Sequence, residues 1–574
     1  MFLRKNYSNK TGRTHLAIVQ GYRSNDGKNR HKTIKKVGYL DELEKQYDDP
    51  VAYFTALAKK MDDERKEEKN ITINFDTQGR IDKNETHRKN FGYVVYSKIY
   101  HELEIDAYLK NARRHELFKY NTDSIMRLLV YTRLLQPESK RASVLGKERF
   151  FENFKFSLHD VYDALTHFDA VSGELLQHLH EQVVNRYDRK TDLVYYDVTN
   201  YYFETDKQDE LRRKGPSKEN RRSPIVQMGL LIDSAGLPII YKLFPGNTHD
   251  SQTLMPMLTE LKKKYGVRRI VTVADKGLNS GDNIAYSTIL NDGYIYSKSV
   301  RGASAAFKQW ILDGDGYRDK GDKYRMKSKL VPDVEIGITI NADDGRKVKK
   351  KVALEQKWVA FYSGKYAERA KAKRDEAVAK ALKLMKNPSK YRRTFDYGAA
   401  GYIVNLKIDK ESGEVANIKD TLVLDTARIA EEELFDGYYA LVTSELDDSD
   451  EHIIDMYHGL WRIEESFKVT KGVLGTRPVF LRTDAHINAH FLICFIALLI
   501  SRVIEMRLGY RFSIARITDS LQQVACSYLD QNFWLFDYVD EVTDELNRVF
   551  GFDFGRRVMA VRDIKNILAG SKIG

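Results

Sequence analysis

The chain is poor in cysteine, in long apolar runs and, at its amino terminus, in acidic residues. Only two of its 574 residues are cysteines, Cys494 and Cys526. Neither a disulfide framework nor a zinc ribbon can be built from two cysteines, so a reducing compartment is expected. The first residues lack the apolar core of a signal peptide. The longest apolar run, 491–500, is about half a membrane span and predicts a buried helix. We therefore expect a cytoplasmic protein with no membrane partner.

Acidic residues are scarce where basic ones are concentrated. The formal net charge is +12. Residues 1–40 hold ten lysines and arginines and one acid, Asp26, which leaves a net charge of +9. Such an arm attracts polyanions, nucleic acid above all. A solvated terminus without a partner is the alternative interpretation. The sequence also has no glycine-rich phosphate loop of the ATPase type, so no use of ATP is expected.

Hydrophobic periodicity divides the chain into regions with different predicted secondary structure. The β-type runs 193–197, 225–232, 237–243, 269–275 and 293–299, with a helix at 253–264, predict a mixed α/β sheet. The regions that we expect are a basic N-terminal region at 1–90, a helical domain at 91–188, the first half of an α/β core at 189–300, a mixed β/α insertion at 301–440, the second half of the core at 441–508, and a helical C-terminal region at 509–574. The N-terminal region is expected to begin with a small β hairpin around the turn 25–27.

Three carboxylates stand in patterns that suit metal binding. Asp197 and Asp275 each end an apolar run, and Glu464 lies within a predicted helix at 450–471. A carboxylate at the end of a strand lies at the rim of a sheet, where ligands bind in α/β folds. Oxygen ligands of this kind hold Mg²⁺, and two such ions can act on a phosphodiester. In a basic chain this pattern points to the cutting or joining of nucleic acid.

The helix around Glu464 carries further candidates. Tyr457, Glu464 and Lys471 are spaced seven residues apart, so on one continuous helix they share a stripe. Leu460 and Lys468 lie beside that stripe. A carboxylate between a phenol and ammonium groups suits a phosphate backbone with a metal ion at its centre. The alternative interpretation is an exposed, charged helix without a ligand.

These residues resemble the DDE transposases of bacterial insertion sequences, which have a ribonuclease-H-like core. One group of that family carries the signature Tyr-x-x-Arg-x-x-x-Glu-x-x-x-x-x-x-Lys, which Tyr457, Glu464 and Lys471 match. Leu460 stands at the arginine position, and Arg462 would face the opposite side of the helix. The other matching segments, within residues 190–500, are Tyr196-Asp197-Val198-Thr199, Gly246-Asn247-Thr248-His249-Asp250, Val273-Ala274-Asp275-Lys276-Gly277 and Arg477-Pro478-Val479-Phe480.

The resemblance implies a two-metal mechanism in which Asp197 bridges two Mg²⁺ ions, with Mn²⁺ as a substitute, and Asp275 and Glu464 each complete one. It implies that the chain binds the terminal inverted repeats of its element, cleaves the DNA ends and transfers them to target DNA. A homodimer on double-stranded DNA, acting at the bacterial nucleoid, is the expected working unit. Asp250 is expected near the site as a fourth acid with an accessory role, and the alternative is a structural role through turn hydrogen bonds.

Several residues are candidates for DNA contacts. On the signature helix they are Tyr457, Arg462, Lys468 and Lys471. Lys298 and Arg301 follow the strand at 293–297 and are candidates for phosphate contacts, with an ordinary basic loop as the alternative. Trp310 is the candidate for stacking on a flipped base, as an aromatic residue of the insertion does in related transposases. Trp358 lies in an apolar strand and is expected in the core.

Two other functions stay open from the sequence. The first is a structure-selective nuclease that uses the same metal site without strand transfer. The second is a DNA-binding protein derived from an inactive transposase. All three acids are retained, which argues against the second.

Overall fold

The structure is a computed structural model that describes residues 1–9, 11–23, 29–67, 80, 86–114, 116, 118–215, 223–321, 324–341, 346–388, 398–406, 422–529 and 532–573. The chain forms two compact units. The smaller contains residues 1–95, 148–153 and 520–573, and the larger contains residues 96–147 and 154–519.

The described residues form the following strands and helices. The strands are β1 Phe2–Ser8, β2 Arg13–Arg23, β3 Asn29–Tyr39, β4 Arg88–Asn90, β5 Leu193–Tyr202, β6 Ile225–Asp233, β7 Pro238–Pro245, β8 Val271–Ala274, β9 Gly293–Lys298, β10 Arg318–Lys320, β11 Tyr324–Asn341, β12 Lys347–Tyr362, β13 Ile403–Val404, β14 Val423–Leu424, β15 Tyr438–Thr443, β16 Ala525–Tyr528, β17 Phe533–Phe536 and β18 Val558–Ala560. The helices are α1 Leu40–Leu43, α2 Pro50–Glu67, α3 Tyr93–Glu102, α4 Ile105–Ala112, α5 Thr122–Leu135, α6 Lys140–Leu145, α7 Leu158–Ala170, α8 Ser172–Tyr187, α9 Leu254–Tyr265, α10 Gly281–Ile289, α11 Ala305–Leu312, α12 Gly364–Lys386, α13 Thr426–Leu434, α14 Asp450–His458, α15 Trp461–Lys471, α16 Asp484–Arg507, α17 Ile514–Gln523, α18 Glu541–Phe550 and α19 Val561–Gly570.

The smaller unit contains two antiparallel sheets. In the first, β1, β2 and β3 pair in sequence order, and Leu16, Leu43 and Phe54 form a small core between this sheet and helices α1 and α2. The two strands of the predicted hairpin are therefore confirmed. The turn of the hairpin, at 25–27, lies outside the described residues. The second sheet has the order β18-β17-β16-β4. The expectation of a purely helical tail is wrong, because three short strands alternate there with the helices and pair with residues 88–90.

The larger unit is built on a sheet of nine strands in the order β10-β11-β12-β15-β9-β8-β5-β6-β7. Within it, β7-β6-β5-β8-β9 is a mixed five-stranded core in which β6 is antiparallel to both neighbours and β5, β8 and β9 are parallel. This order and these directions are those of a ribonuclease-H-like fold, as the sequence predicts. The strands of the 301–440 segment continue the same sheet from β9, through β15 and β12.

Helix α16 is buried along most of its length. It contacts helices α5 and α7 and strand β7, and ring contacts such as Tyr201 with Phe491, whose centroids lie 5.0 Å apart, fix it to the sheet. By length and composition it is apolar enough to cross a membrane, but 94% of its most apolar window is buried inside the protein. An interior helix of this kind has to be apolar on every side.

Candidate active site

Three parallel strands bring polar side chains into one row across the sheet. The parallel pairing of β5, β8 and β9 with one another ends at Tyr196, Ala274 and Tyr296. The residues that follow are Asp197, Asp275 and Ser297. The backbone of Asp275 stays extended, at φ −78° and ψ 170°, so it continues its strand by one residue. Because neighbouring strands lie about 4.8 Å apart, the three residues are side by side at the rim of the sheet.

Asp197 lies inside a strand, which differs from the sequence prediction. Strand β5 continues to Tyr202, because residues after Asp197 still pair with β6 on the other side. The parallel pairing with β8 nevertheless stops at Tyr196. Asp197 therefore stands where the parallel part of the sheet ends, and its partly exposed side chain faces the same side as Tyr195 and Tyr201.

Helix α15 packs on that side of the strand. The hydroxyl of Tyr195 accepts a hydrogen bond from Arg462 near the start of the helix. The Tyr201 hydroxyl lies 2.7 Å from the hydroxyl of Thr470 near its end. Glu464 is exposed on the same helix. At about 100° per residue it lies about 200° round the helix from Arg462 and about 120° from Thr470, so the two anchors fix the helix on the strand and leave Glu464 on another face.

The predicted single helix at 450–471 is two helices, α14 and α15, separated by a turn at Gly459 and Leu460. A Cβ atom on Gly459 would lie 1.9 Å from the hydroxyl oxygen of Tyr195, so only glycine fits. The heptad stripe through Tyr457, Glu464 and Lys471 is consequently interrupted between its first two members. Leu460, at the signature's arginine position, is buried with 8% of its surface exposed.

Tyr457 is linked to Asp275 through Ser297. The Ser297 hydroxyl donates to Oδ1 of Asp275 at 2.7 Å, and Tyr457 hydrogen-bonds the same serine. Burial raises the pKa of Tyr457, the hydrogen bond with Ser297 lowers it, and the charges of Asp275 and Glu464 raise it further. The phenol therefore stays protonated, close to both acids. These groups face a cleft of about 360 Å³ that is lined by Asp275, Ser297, Lys298 and Tyr457.

The three acids supply the right donors for a divalent cation, although they do not form a closed ligand set. Asp275 and Glu464 are exposed and Asp197 is partly exposed, and all are oxygen donors of the kind Mg²⁺ prefers. Among the residues that the structure describes, no group of three or more His, Cys, Asp or Glu is close enough to hold a metal ion. Asp250 lies against the loop after Asp275, with Oδ2 at 3.8 Å from where a Cβ on Gly277 would be.

The candidate DNA contacts outside the signature are engaged within the protein. The ammonium of Lys298 lies 4.8 Å from the ring centre of Phe307 and 4.9 Å from that of Trp358, and burial lowers its pKa. Arg301 forms an ion pair with Asp436 at 2.9 Å. Trp310 is partly buried against Phe307 and Trp358 in a small core, so its ring is not freely presented. Trp358 belongs to the same cluster.

The basic residues of α15 differ in their surroundings. Lys468 is exposed. Lys471 lies 5.7 Å from the ring centre of Tyr201. Arg462 is directed at Tyr195 and also lies over the ring of Trp461. Lys468 is thus the side chain of the three that is most open to a ligand.

Ser297 is a site residue that the sequence analysis missed. It follows the apolar residues 294–296 within the β-type run 293–299, much as Asp275 follows the apolar residues before it in the run 269–275. A comparison of the ends of the predicted strands would have identified Ser297. It was missed because the candidates were chosen by their charge, and serine is uncharged. The tyrosines of β5 were missed because aromatic residues in an apolar run are usually core.

The chain matches two family models. Residues 188–500, more than half of the chain, match the model described as the transposase DDE domain. Residues 3–72 match the model described as the N-terminal domain of the IS1634 family transposases. No curated protein matches the chain.

Two solved structures are similar over part of the chain. One is a cryo-EM structure of the piggyBac transposase synaptic complex with hairpin DNA, at 8% identity and a TM-score of 0.35, covering 84% of this chain and 83% of that one. The other is the Mos1 transposase paired-end complex with the left transposon end, at 13% identity and a TM-score of 0.14, covering 42% of this chain and 66% of that one. At these scores neither adds to the fold assignment, which follows from the strand order.

Proposed function

The chain belongs to the DDE transposase family, a family of DNA-cleaving enzymes, and we propose that Asp197, Asp275 and Glu464 are its catalytic carboxylates. The observation that carries this proposal is the row of Asp197, Asp275 and Ser297 across three parallel strands, with helix α15, which carries Glu464, anchored on the first of these strands through Tyr195 and Tyr201.

The ligand that these residues fit is a pair of Mg²⁺ ions, with Mn²⁺ as a substitute. When bound, such ions activate a water molecule and stabilise the leaving oxygen of a phosphodiester. By the family resemblance Asp197 would hold both ions, while Asp275 and Glu464 would each hold one. Ser297 holds the carboxylate of Asp275 in place. Asp250 supports the neighbouring loop.

The DNA substrate is the pair of element ends, followed by target DNA. The basic region 1–90 is suited to recognise the terminal inverted repeats, because ten basic residues stand against one acid in its first forty positions. Tyr457, Lys468 and Lys471 flank Glu464 and are placed to contact backbone phosphates. We propose a homodimer on DNA as the working unit, at the bacterial nucleoid and without ATP.

We further propose how the regions divide the work. Residues 91–188 form a helical domain, residues 189–300 and 441–508 form the two halves of the core, and residues 301–440 extend the sheet of the core. Residues 509–574 form a terminal region with helices and short strands.

The test uses a pre-cut element end, supercoiled plasmid and Mg²⁺. A transposase joins the end to the plasmid, whereas a nuclease gives only breaks, and an inactive DNA-binding protein gives neither. Asp197→Asn, Asp275→Asn and Glu464→Gln should each abolish end cleavage and joining, in Mg²⁺ and in Mn²⁺, while end binding stays within a few-fold. Asp282→Asn, outside the row, is the matched control. Wild-type cleavage by any one of the three acid variants would remove that residue from the site.

A further inference from the structure

Another cavity of the larger unit is lined by none of the three candidate acids. Its volume is about 330 Å³, within the range of small-molecule sites. Its walls come from the end of α5, the start of α6, helices α7 and α16 and the segment 475–481 that follows α15. We call it the Lys140 pocket. The lining residues that give it its chemistry are Arg133, Glu138, Lys140, Pro478, Phe480 and His490.

Lys140 is a buried cation without a counter-ion among the described residues. The residue is 6% exposed, and its ammonium group forms no hydrogen bond or ion pair with any residue that the structure describes. The ionisable groups that act on its pKa are Arg133 and Cys494, neither of which is a carboxylate. An ammonium group has three donors, and burying it unsatisfied costs free energy. Residues that cost stability in this way are expected at functional sites.

A second buried cation, Arg133, lies close enough to Lys140 to lower the pKa of that lysine. Its guanidinium donates to the backbone carbonyls of Leu474 and Gly475 at 3.1 and 3.0 Å, and these acceptors carry no charge. Within the part of the chain that the structure describes, no carboxylate pairs with it. Burial, and then the charges of Arg133 and Lys140, lower the pKa of His490 well below its usual range. The imidazole is therefore neutral and offsets neither cation.

The acid of the lining does not offset the charge of Lys140. Glu138 is partly exposed, and it is not among the groups that act on the pKa of Lys140 or of His490. Its backbone carbonyl accepts a hydrogen bond from Arg133 at 3.3 Å. The pocket therefore presents positive charge to a ligand.

The segment 475–481 is fixed in place, so the pocket is preformed. The carbonyl of Thr476 lies 3.0 Å from Nε2 of His490, and the preceding residue is held by the hydrogen bond from helix α5. The same segment supplies an apolar wall with Pro478 and Phe480, of which Phe480 is 70% exposed. Positive charge beside an apolar wall suits a ligand that carries an anion on an organic group.

We propose that the Lys140 pocket binds a phosphate monoester, whose oxygens accept hydrogen bonds from the Lys140 ammonium and whose organic group lies against Pro478 and Phe480. A phosphate monoester carries about −1.5 to −2 charges at pH 7, which matches two cations, whereas a carboxylate carries only one charge. Two sources supply this chemistry, a free mononucleotide and the phosphorylated 5′ end of a DNA strand. The pocket is additional to the candidate active site and does not depend on the activity proposed for it.

The first test is a calorimetric titration of the full-length protein with adenosine 5′-monophosphate in EDTA. Lys140→Met should bind this probe about 10–100-fold more weakly, which is the effect of losing one charged hydrogen bond. The variant should fold, because methionine replaces a buried charge by an apolar side chain. Arg141→Met removes an exposed charge at the next position, and as the matched control it should bind like the wild type. Adenosine, which lacks the phosphate, should bind the wild type no better than it binds Lys140→Met.

The second test distinguishes the two sources by comparing oligothymidylate that ends in a 5′-phosphate with the same strand that ends in a 5′-hydroxyl. If the pocket takes the end of a DNA strand, the 5′-phosphate strengthens binding to the wild type about tenfold or more and does not strengthen binding to Lys140→Met. If the pocket takes a free mononucleotide, the 5′-phosphate makes no difference, and only the titration with adenosine 5′-monophosphate depends on Lys140. Either result supports the pocket.

The proposal is overturned if the affinities for adenosine 5′-monophosphate and for the 5′-phosphorylated strand are both the same in the wild type and in Lys140→Met. Both measurements are made without metal ions, so their outcome is independent of cleavage. A protein that cuts DNA ends but shows no dependence on Lys140 keeps the proposed function and loses the pocket. A protein that binds the phosphate through Lys140 but does not cut keeps the pocket and loses the proposed function.

Discussion

Ser297 donates its hydroxyl hydrogen to Oδ1 of Asp275 at 2.7 Å. The serine is buried, with 6% of its surface exposed, whereas Asp275 is exposed. The second carboxylate oxygen, Oδ2, has no hydrogen bond to any residue in the described part of the chain. One oxygen is thus held from the protein side while the other is left for a ligand. Partners of this kind orient a metal-binding carboxylate, and their loss typically costs 10–100-fold in metal affinity.

Ser297→Ala should therefore raise the Mg²⁺ concentration needed for half-maximal end cleavage by about tenfold, with little change in end binding. Ser297→Thr keeps the hydroxyl and should remain near the wild type. The measurement is the cleavage rate over a Mg²⁺ titration, beside end binding in EDTA.

The matched control is Ser143→Ala. Ser143 is also buried, and its hydroxyl lies 3.1 Å from that of Thr132, in the helical part of the chain. It should not shift the Mg²⁺ titration. A Mg²⁺ curve for Ser297→Ala that superimposes on the wild type would show that the hydrogen bond has only a structural role.

The sequence predicts the core of the fold because its strands are short apolar runs between clear turn signals. All five runs of the 189–300 region are strands, and α9 begins one residue after the predicted start at 253. The N-cap of α10 is Ser280, whose side chain accepts a hydrogen bond from the backbone N–H of Asn283. Local sequence patterns are enough to predict these elements, because the apolar runs and the capping residues indicate the same strands and helices.

The insertion was harder to predict because its long strands are not apolar. The strand-like runs of the sequence at 336–340 and 358–362 are only parts of β11 and β12. Lysines interrupt β12, yet Val348 and Val352 pair with Ile340 and Ile336 across the ribbon. The alternation has the period of a strand, but the number of charges suggested turns. Likewise, only the three-dimensional contact with Tyr195 explains why the helix breaks at Gly459.

Gly459→Ala should destabilise the protein by about 1–3 kcal/mol, because the new Cβ would lie 1.9 Å from the Tyr195 hydroxyl. The clash outweighs the gain of about 0.5–1 kcal/mol that alanine brings to a helical position. Urea unfolding measures the change. Gly364→Ala is the control, since a Cβ there would meet nothing within 4 Å.

The contact itself is tested in a second background. Tyr195→Leu shortens the side chain and removes the clash, so adding Gly459→Ala to it should cost little or nothing further. Non-additivity of this kind is expected for residues in contact. Equal costs of Gly459→Ala in both backgrounds would mean that the tyrosine is not what requires glycine.

Lys468 and Arg462 should behave differently although both lie on α15. Lys468→Ala should reduce the salt slope of end binding by about 0.9, the value for one phosphate contact on duplex DNA. Arg462→Ala should leave the slope unchanged and lower the stability instead, because Arg462 hydrogen-bonds Tyr195. Salt titration of end binding and urea unfolding of both variants separate the two roles. A reduced slope in Arg462→Ala would place its guanidinium on the DNA.

The buried Lys140 should make stability depend on pH. Burial, and then the charge of Arg133, lower its pKa to about 7, and it has no ion pair with the residues described in the structure. An unfolded lysine titrates near 10.4. Between these values the unfolded chain binds more protons, so stability rises as the pH increases from about 7 towards 10. Lys140→Met should therefore stabilise the protein by about 1–4 kcal/mol at pH 7, and its advantage should shrink steadily up to pH 10. Urea unfolding at several pH values measures this difference in stability, and Lys155→Met, at an exposed lysine, is the control. If the stability gained by Lys140→Met were the same at every pH, Lys140 would be charged in the folded protein from pH 7 to pH 10.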